Sequence, residues 1–267
     1  MNEVKRLIYK VEGLKKNYGS FEALNVKKLE IHPGTIYAIV GPPGSGKTTL
    51  LSILSGSLKP SSGNLYFENM PFEKNWYGKT VKHDEVFYNY GYEEFGSRLK
   101  VSRVISKLYG KKSNTLMKRH FKSARFKHLW NRSISSLTKG ELHWLGMILS
   151  LESDPRVLLI DEYGVHLTDE MEQEFRSQLK RMNRSLGTTI IISSHSESLV
   201  KKFASVIIFL DNGHISKIRS SSNRHGRPGG SDRRRKNNNY RKKNRNYKKK
   251  QKHPGNNKSK KEIKNET

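Results

Sequence analysis

The segment GPPGSGKTT, Gly41 to Thr49, sets Gly41, Gly46, Lys47 and Thr48 at the spacing G-x-x-x-x-G-K-[ST]. Each residue type has a physical task with a polyphosphate. Gly41, Gly44 and Gly46 let the backbone take positive φ and approach phosphate oxygens closely. Their N–H groups, with the amino end of a following helix, form an anion cradle, and Pro42, Pro43, Ser45 and Thr49 complete the stretch. The Lys47 ammonium would neutralise β- and γ-phosphates, and the Thr48 hydroxyl would ligate Mg2+. A second segment, VLLIDE, spans Val157 to Glu162. An apolar strand ending in two carboxylates delivers Asp161 and Glu162 to the carboxyl edge of a sheet, where α/β proteins hold ligands. Asp161 would hold Mg2+ through water, and Glu162 would take a proton from a water attacking the γ-phosphate. Together these residues predict nucleotide binding with cleavage of a γ-phosphate.

Such residues need a scaffold, and the chain supplies the pattern for one. Short apolar, β-branched runs recur: LIYKV near residue 10, TIYAIV at 35–40, RVLLI at 156–160, TTIIIS at 188–193 and SVIIFL at 205–210. Helical patterns follow several of them, as over Lys47 to Leu58 and Thr168 to Asn183. Continuously apolar strands alternating with helices predict a buried, largely parallel α/β sheet. The stretch of about 91–140 differs, being helical in tone and free of acid between Glu94 and Glu141. It reads as a helical insertion in the α/β core.

The charge is unevenly spread. From Ser221 to Thr267, 18 Lys/Arg face 3 Asp/Glu, so these residues hold +15 of the net +28. Their apolar side chains are Tyr240, Tyr247 and Ile263, too few to offset the entropy of ordering. Residues 221–267 are therefore expected to be a disordered basic tail behind a nucleotide-binding domain over 1–220. The tail could neutralise nucleic-acid phosphates, with Tyr240 or Tyr247 stacking on bases, or lie on anionic lipid. With no cysteine in the chain, disulfides, thiolate zinc sites and cysteine nucleophiles are excluded. Charges break up the opening MNEVKRLIYKVEG, and no apolar run nears 18 residues. A soluble, intracellular chain is expected, one that reaches a membrane only through a partner or its charge.

From about Ile8 to Ile218 these motifs, in this order, resemble the ATP-binding subunit of an ABC transporter. The resemblance implies a phosphate-loop NTPase with the ABC-type core sheet and a helical subdomain at about 91–140. It places Tyr18, in LKKNYGSFEAL, at the position of an adenine-stacking aromatic. LTKGE, Leu137 to Glu141, falls at the family signature, GVHLT, Gly164 to Thr168, at the D-loop, and His195 at the switch histidine that contacts the γ-phosphate. It further implies a dimer, homo- or hetero-, that buries two ATP molecules head to tail. Thr138, Gly140 and Glu141 would then serve the partner's ATP, while integral membrane subunits do the transport and the ATPase sits on the cytoplasmic face of the membrane. Thr138 and Glu141 also form a T-x-x-E capping box, and both roles can coexist.

The chain departs from the family pattern at several points. Lys139 stands for a signature glycine, Thr168 for the D-loop aspartate with Asp169 one place later, and Tyr163 for the usual proline. No glutamine lies near Tyr88 to Glu93, where Asn89 or Glu93 are the polar candidates. Two other readings follow: a soluble ABC-type ATPase gripping nucleic acid, and a weakly hydrolysing regulatory subunit.

Overall fold

The computed structural model describes residues 6–72, 83–89, 98–122, 124–165 and 167–220. Among them, six strands form one sheet in the order β10-β9-β3-β8-β7-β6. These are β3 (Ile36–Val40), β6 (Val86–Asn89), β7 (Val157–Ile160), β8 (Thr189–Ser194), β9 (Val206–Asp211) and β10 (His214–Ser220). The pairs β3–β8, β3–β9, β7–β8 and β6–β7 are parallel, and β10 closes one edge antiparallel. Every residue of β3, β7 and β8 is buried, as expected of strands covered on both faces.

Side chains of a strand alternate between faces, so these strands feed two separate cores. Ile36, Ala38, Val40, Leu158, Ile160, Ile190 and Ile192 enter one, which is roofed by helices. Tyr37, Ile39, Leu159, Ile191 and Leu210 enter the other. That second core is closed by α1 (Lys47–Leu54) and by an antiparallel sheet ordered β2-β1-β4-β5. Its strands are β1 (Tyr9–Tyr18), β2 (Phe21–Ile31), β4 (Ser62–Phe67) and β5 (Met70–Pro71). The LIYKV run thus opens a different sheet from the one its apolar character suggested. Only Tyr9, Val11 and Leu14 of β1 turn fully inward, the alternation of a strand with one solvated face. The helix expected over Lys47 to Leu58 ends at Leu54, where the Ser55 hydroxyl donates back to the Ser52 carbonyl at 2.8 Å.

On the other face lie α2 (Val101–Tyr109), α3 (Ser113–His120), α4 (Ala124–Lys127), α5 (Lys139–Ser153), α6 (Asp169–Arg181) and α7 (Glu197–Val200). Aromatic packing fixes the segment around α3 and α4 against α5. The Trp144 ring stacks on Phe126 at 3.8 Å and meets Phe121 edge-on at 5.2 Å. Arg119 and His120 both reach Glu152 of α5, at 2.6 and 2.8 Å. No described helix is long and apolar enough to cross a membrane. Residues 221–267, expected as a tail, lie outside the described residues, as do Glu93 and His166.

Trp144 is the keystone of the α3–α5 contact, so Trp144→Ala should lower unfolding free energy by about 3–5 kcal/mol. Chemical denaturation followed by far-UV circular dichroism measures it.

Candidate functional site

The parallel register decides which residues share the carboxyl edge. Val40 pairs with Ser194, so Gly41 and His195 leave adjacent strands at one level. Ile160 pairs with Ile192, which sets Asp161 level with Ser193. The loop 41–46 follows β3 and enters α1. Gly46 caps that helix with φ 97°, a left-handed conformation natural to glycine. A Cβ on Gly41 would lie 2.0 Å from the Leu210 carbonyl oxygen, and one on Gly46 2.7 Å from that of Ala23. The loop backbone is therefore wedged between β9 and β2, and no side chain fits at either point. Gly213 N–H donates to the Ser45 carbonyl at 3.1 Å and tightens the wedge.

Lys47 is 5% exposed, and its ammonium donates to the carbonyls of Gly41 (2.9 Å) and Pro42 (2.7 Å) and to Ser45 Oγ (3.3 Å). Burial pulls its pKa below the usual lysine value, opposed by the charges of Asp161 and Glu162. The ammonium is thus held beside the cradle by neutral carbonyls that a phosphate can displace. Pro42, Pro43, Gly44 and Thr48 are exposed, Thr49 is half-buried, and Ser45 is buried.

Asp161 is buried at the end of β7. Its Oδ1 accepts from Ser193 Oγ and from Glu162 N–H, and Oδ2 accepts from the Tyr88 hydroxyl at 3.4 Å. Glu162 N–H also reaches Ser193 Oγ at 2.9 Å. Glu162 has φ 51° and an exposed side chain, so the strained backbone turns its carboxylate out of the sheet. Tyr163 returns inward: its N–H donates to the Ser193 carbonyl at 2.8 Å and its hydroxyl to Glu172 at 2.6 Å. Burial, then the Glu172 carboxylate, raises the Tyr163 pKa well above the ordinary phenol. Where the family pattern has proline, this chain puts an anchor. His195 is exposed and its Nδ1 lies 3.3 Å from the Gly41 carbonyl. A carbonyl only accepts, so Nδ1 carries the proton and Nε2 faces outward.

Ser193 and Tyr88 escaped the sequence reading. The signal for Ser193 was a pair of serines closing an otherwise apolar strand; Tyr88 had none, since its partner Asp161 is 73 residues away.

The remaining candidates lie elsewhere. Tyr18, 52% exposed, ends β1 with Lys16 Nζ 5.1 Å from its ring, on the hairpin whose second strand wedges Gly46. Thr138 caps α5: its Oγ1 accepts from Glu141 N–H at 3.2 Å, and Glu141 Oε2 accepts from Thr138 N–H at 2.7 Å. Arg132 reaches both Glu141 oxygens, at 3.1 and 3.3 Å, and His128 one of them at 3.4 Å. None of these partners belongs to the loop 41–49. Burial would lift the Glu141 pKa, but the Thr138 backbone, His128 and Arg132 hold it below the carboxylate norm. Gly140 is buried and Lys139 exposed on the first turn. Thr168 caps α6, its Oγ1 accepting from Met171 N–H at 3.3 Å, so threonine does the capping work open to an aspartate.

The family model described as ABC transporter matches residues 24–163. The chain is 29% identical over 219 residues to a probable sulfate/thiosulfate import ATP-binding protein, CysA, of Chlorella vulgaris. The match takes in 79% of this chain and 90% of that protein. The solved structure of cbiO1 from Clostridium perfringens, part of the ABC transporter complex cbiONQ, superposes with a TM-score of 0.66 at 25% identity, covering 81% and 89% of the two chains. A bacterial ABC transporter cassette solved as a dimer gives 0.67 at 23% identity, over 79% and 98%.

Ser193→Ala strips Asp161 and the Glu162 N–H of a buried partner and should cost about 1–3 kcal/mol in thermal unfolding. Glu141 stabilises α5 fully above its ordinary carboxylate pKa, and that share fades as pH falls through the depressed folded value. Unfolding temperatures of the native protein and Glu141→Ala should therefore converge on acidification.

Proposed function

The chain belongs to the ABC transporter family, and we propose that it is the ATP-binding, ATP-hydrolysing subunit of a transporter whose membrane-spanning parts are separate chains. The observation that carries this reading is the shared sheet edge. There the wedged loop 41–46, the Lys47 ammonium, the Asp161–Glu162 pair and His195 all meet.

The loop N–H groups and the start of α1 would hold the β- and γ-phosphates of ATP, with Lys47 trading its carbonyl partners for phosphate oxygens. The half-exposed Tyr18 ring would stack on adenine, with the Lys16 ammonium beside it. The outward Glu162 carboxylate would orient a water in line with the γ-phosphate and take its proton, and the His195 ring would release the Gly41 carbonyl and turn its Nδ1–H to the γ-phosphate. Mg2+ fits the donors present: an exposed Thr48 hydroxyl and a buried carboxylate, Asp161. When bound, Mg2+ would neutralise charge on the β- and γ-oxygens.

In a head-to-tail dimer the face at Thr138 would meet the partner's ATP. The cap uses the Thr138 oxygen as acceptor and leaves its O–H proton to donate. Lys139 would bring an ammonium where the family pattern has close backbone approach. The subunit would work on the cytoplasmic face of the membrane, and the membrane subunits would select the cargo.

In Glu162→Gln, phosphate release at saturating ATP should fall by about 10²–10⁴-fold while ATP binding persists. Unchanged release in a colorimetric phosphate assay would refute the role of Glu162 as base.

A further inference from the structure

We propose that the α2–α3 ridge is a docking surface for the headgroup layer of an anionic phospholipid membrane, beyond the site and partners described above. Over 95–140 the sequence has no acidic residue. Along α2, the turn after it and α3, the lysines at 107, 111, 112 and 118 are all exposed. Among the described residues no ion pair engages any of them. Among the described residues, the carboxylates that meet this segment are committed elsewhere, Glu152 to Arg119 and His120, and Glu141 to Arg132 and His128. On α3, Leu116 faces the core, which turns Lys118 to solvent, nearly half a turn away.

An apolar element runs through this cationic field. Val101, Val104 and Ile105 are buried, and Leu108 continues their stripe at the i+4 and i+3 spacing. The stripe outruns the core, leaving Leu108 48% exposed between Lys107 and Lys111. An exposed leucine ringed by lysines suits an interface in which the side chain dips below phosphates that the ammoniums neutralise. At the other end of α2, Arg98, Lys100 and Arg103 line a cleft of about 450 Å3 with Ser102, Ser106 and Asn131, whose donors match a headgroup phosphate.

Nucleic acid suits the ridge less well. Leu108 is the large exposed apolar residue described on it, and no exposed ring is there to stack a base. Tyr109 is tied to the Leu149 carbonyl, and Trp130 packs on Phe121. The exposed cations are mostly lysines, point charges for a diffuse anionic layer rather than forked donors.

The test uses the full chain and a local readout, because the basic residues 221–267 would bind anions as well. Hydrogen exchange is measured with vesicles of pure phosphatidylcholine and of phosphatidylcholine with 30% phosphatidylserine. Peptides from 101–122 should be protected by the anionic vesicles only. The triple variant Lys107→Glu, Lys111→Glu, Lys112→Glu should lose that protection and bind these vesicles at least about tenfold more weakly by co-sedimentation, with its unfolding temperature unchanged. Leu108→Ser should weaken vesicle binding and leave duplex DNA binding unaltered. Absence of protection by protein-free vesicles, equal protection by neutral ones, or protection by DNA alone would overturn the proposal. Phosphate release, measured in parallel, reports on the ATPase reading separately.

Discussion

A phosphate site at this sheet edge requires β3, β8 and β7 to keep one register, because the two cores divide their side chains by parity. A slip of one residue would send Ile39 into the core of Ala38 and Val40, and Leu159 into that of Leu158 and Ile160. The chemistry inherits this constraint. Gly41 and His195 stand together because Val40 faces Ser194, and Asp161 stands beside Ser193 because Ile160 faces Ile192. Hydrophobic sorting thus fixes the positions of groups that make no hydrophobic contact themselves.

Polar atoms at this edge are held by a small, mostly buried network. A buried carboxylate is costly unless its oxygens are satisfied, and Asp161 has Ser193, the Glu162 backbone and Tyr88. The Ser193 hydroxyl accepts from Glu162 N–H as it donates to Asp161, so one side chain orients both acidic positions. Tyr163 anchors the next residue through Glu172, itself paired with Arg176 at 2.9 Å. Glu162 is caught between two fixed neighbours. That explains how a non-glycine residue sustains φ 51° there.

The loop 41–49, the strands at 36–40, 157–160 and 189–194, and the acidic pair were legible because their cause is local. Glycine spacing sets the cradle, and continuous apolar runs mark strands buried on both faces. What was not legible depends on irregular pairing or on contacts between distant segments. FEALNVKKLEI gives β2, but its buried apolar residues 23, 24, 26, 29 and 31 do not alternate strictly, and its partner β1 breaks register after Lys16. The antiparallel sheet therefore left no clean period to read. Ser193 and Tyr88 meet Asp161 from 32 and 73 residues away, and Ser193 also holds the Glu162 N–H.

The departures from the family pattern keep the physical task and change the residue that performs it. Thr168 supplies the side-chain acceptor for the first turn of α6 that an aspartate would supply, and Asp169 still places a negative charge at that helix start. Tyr163 replaces the stiffness of a proline ring with a buried hydroxyl–carboxylate contact. Lys139 is the exception in kind. A cation at the amino end of α5 opposes the helix dipole, and Glu141, with its lowered pKa, is the compensating charge in the same turn. Such a turn is strained electrostatically when alone and relieved when an anion approaches its open face. In the proposed head-to-tail dimer, a partner's polyphosphate set against Thr138 and Lys139 would supply that anion.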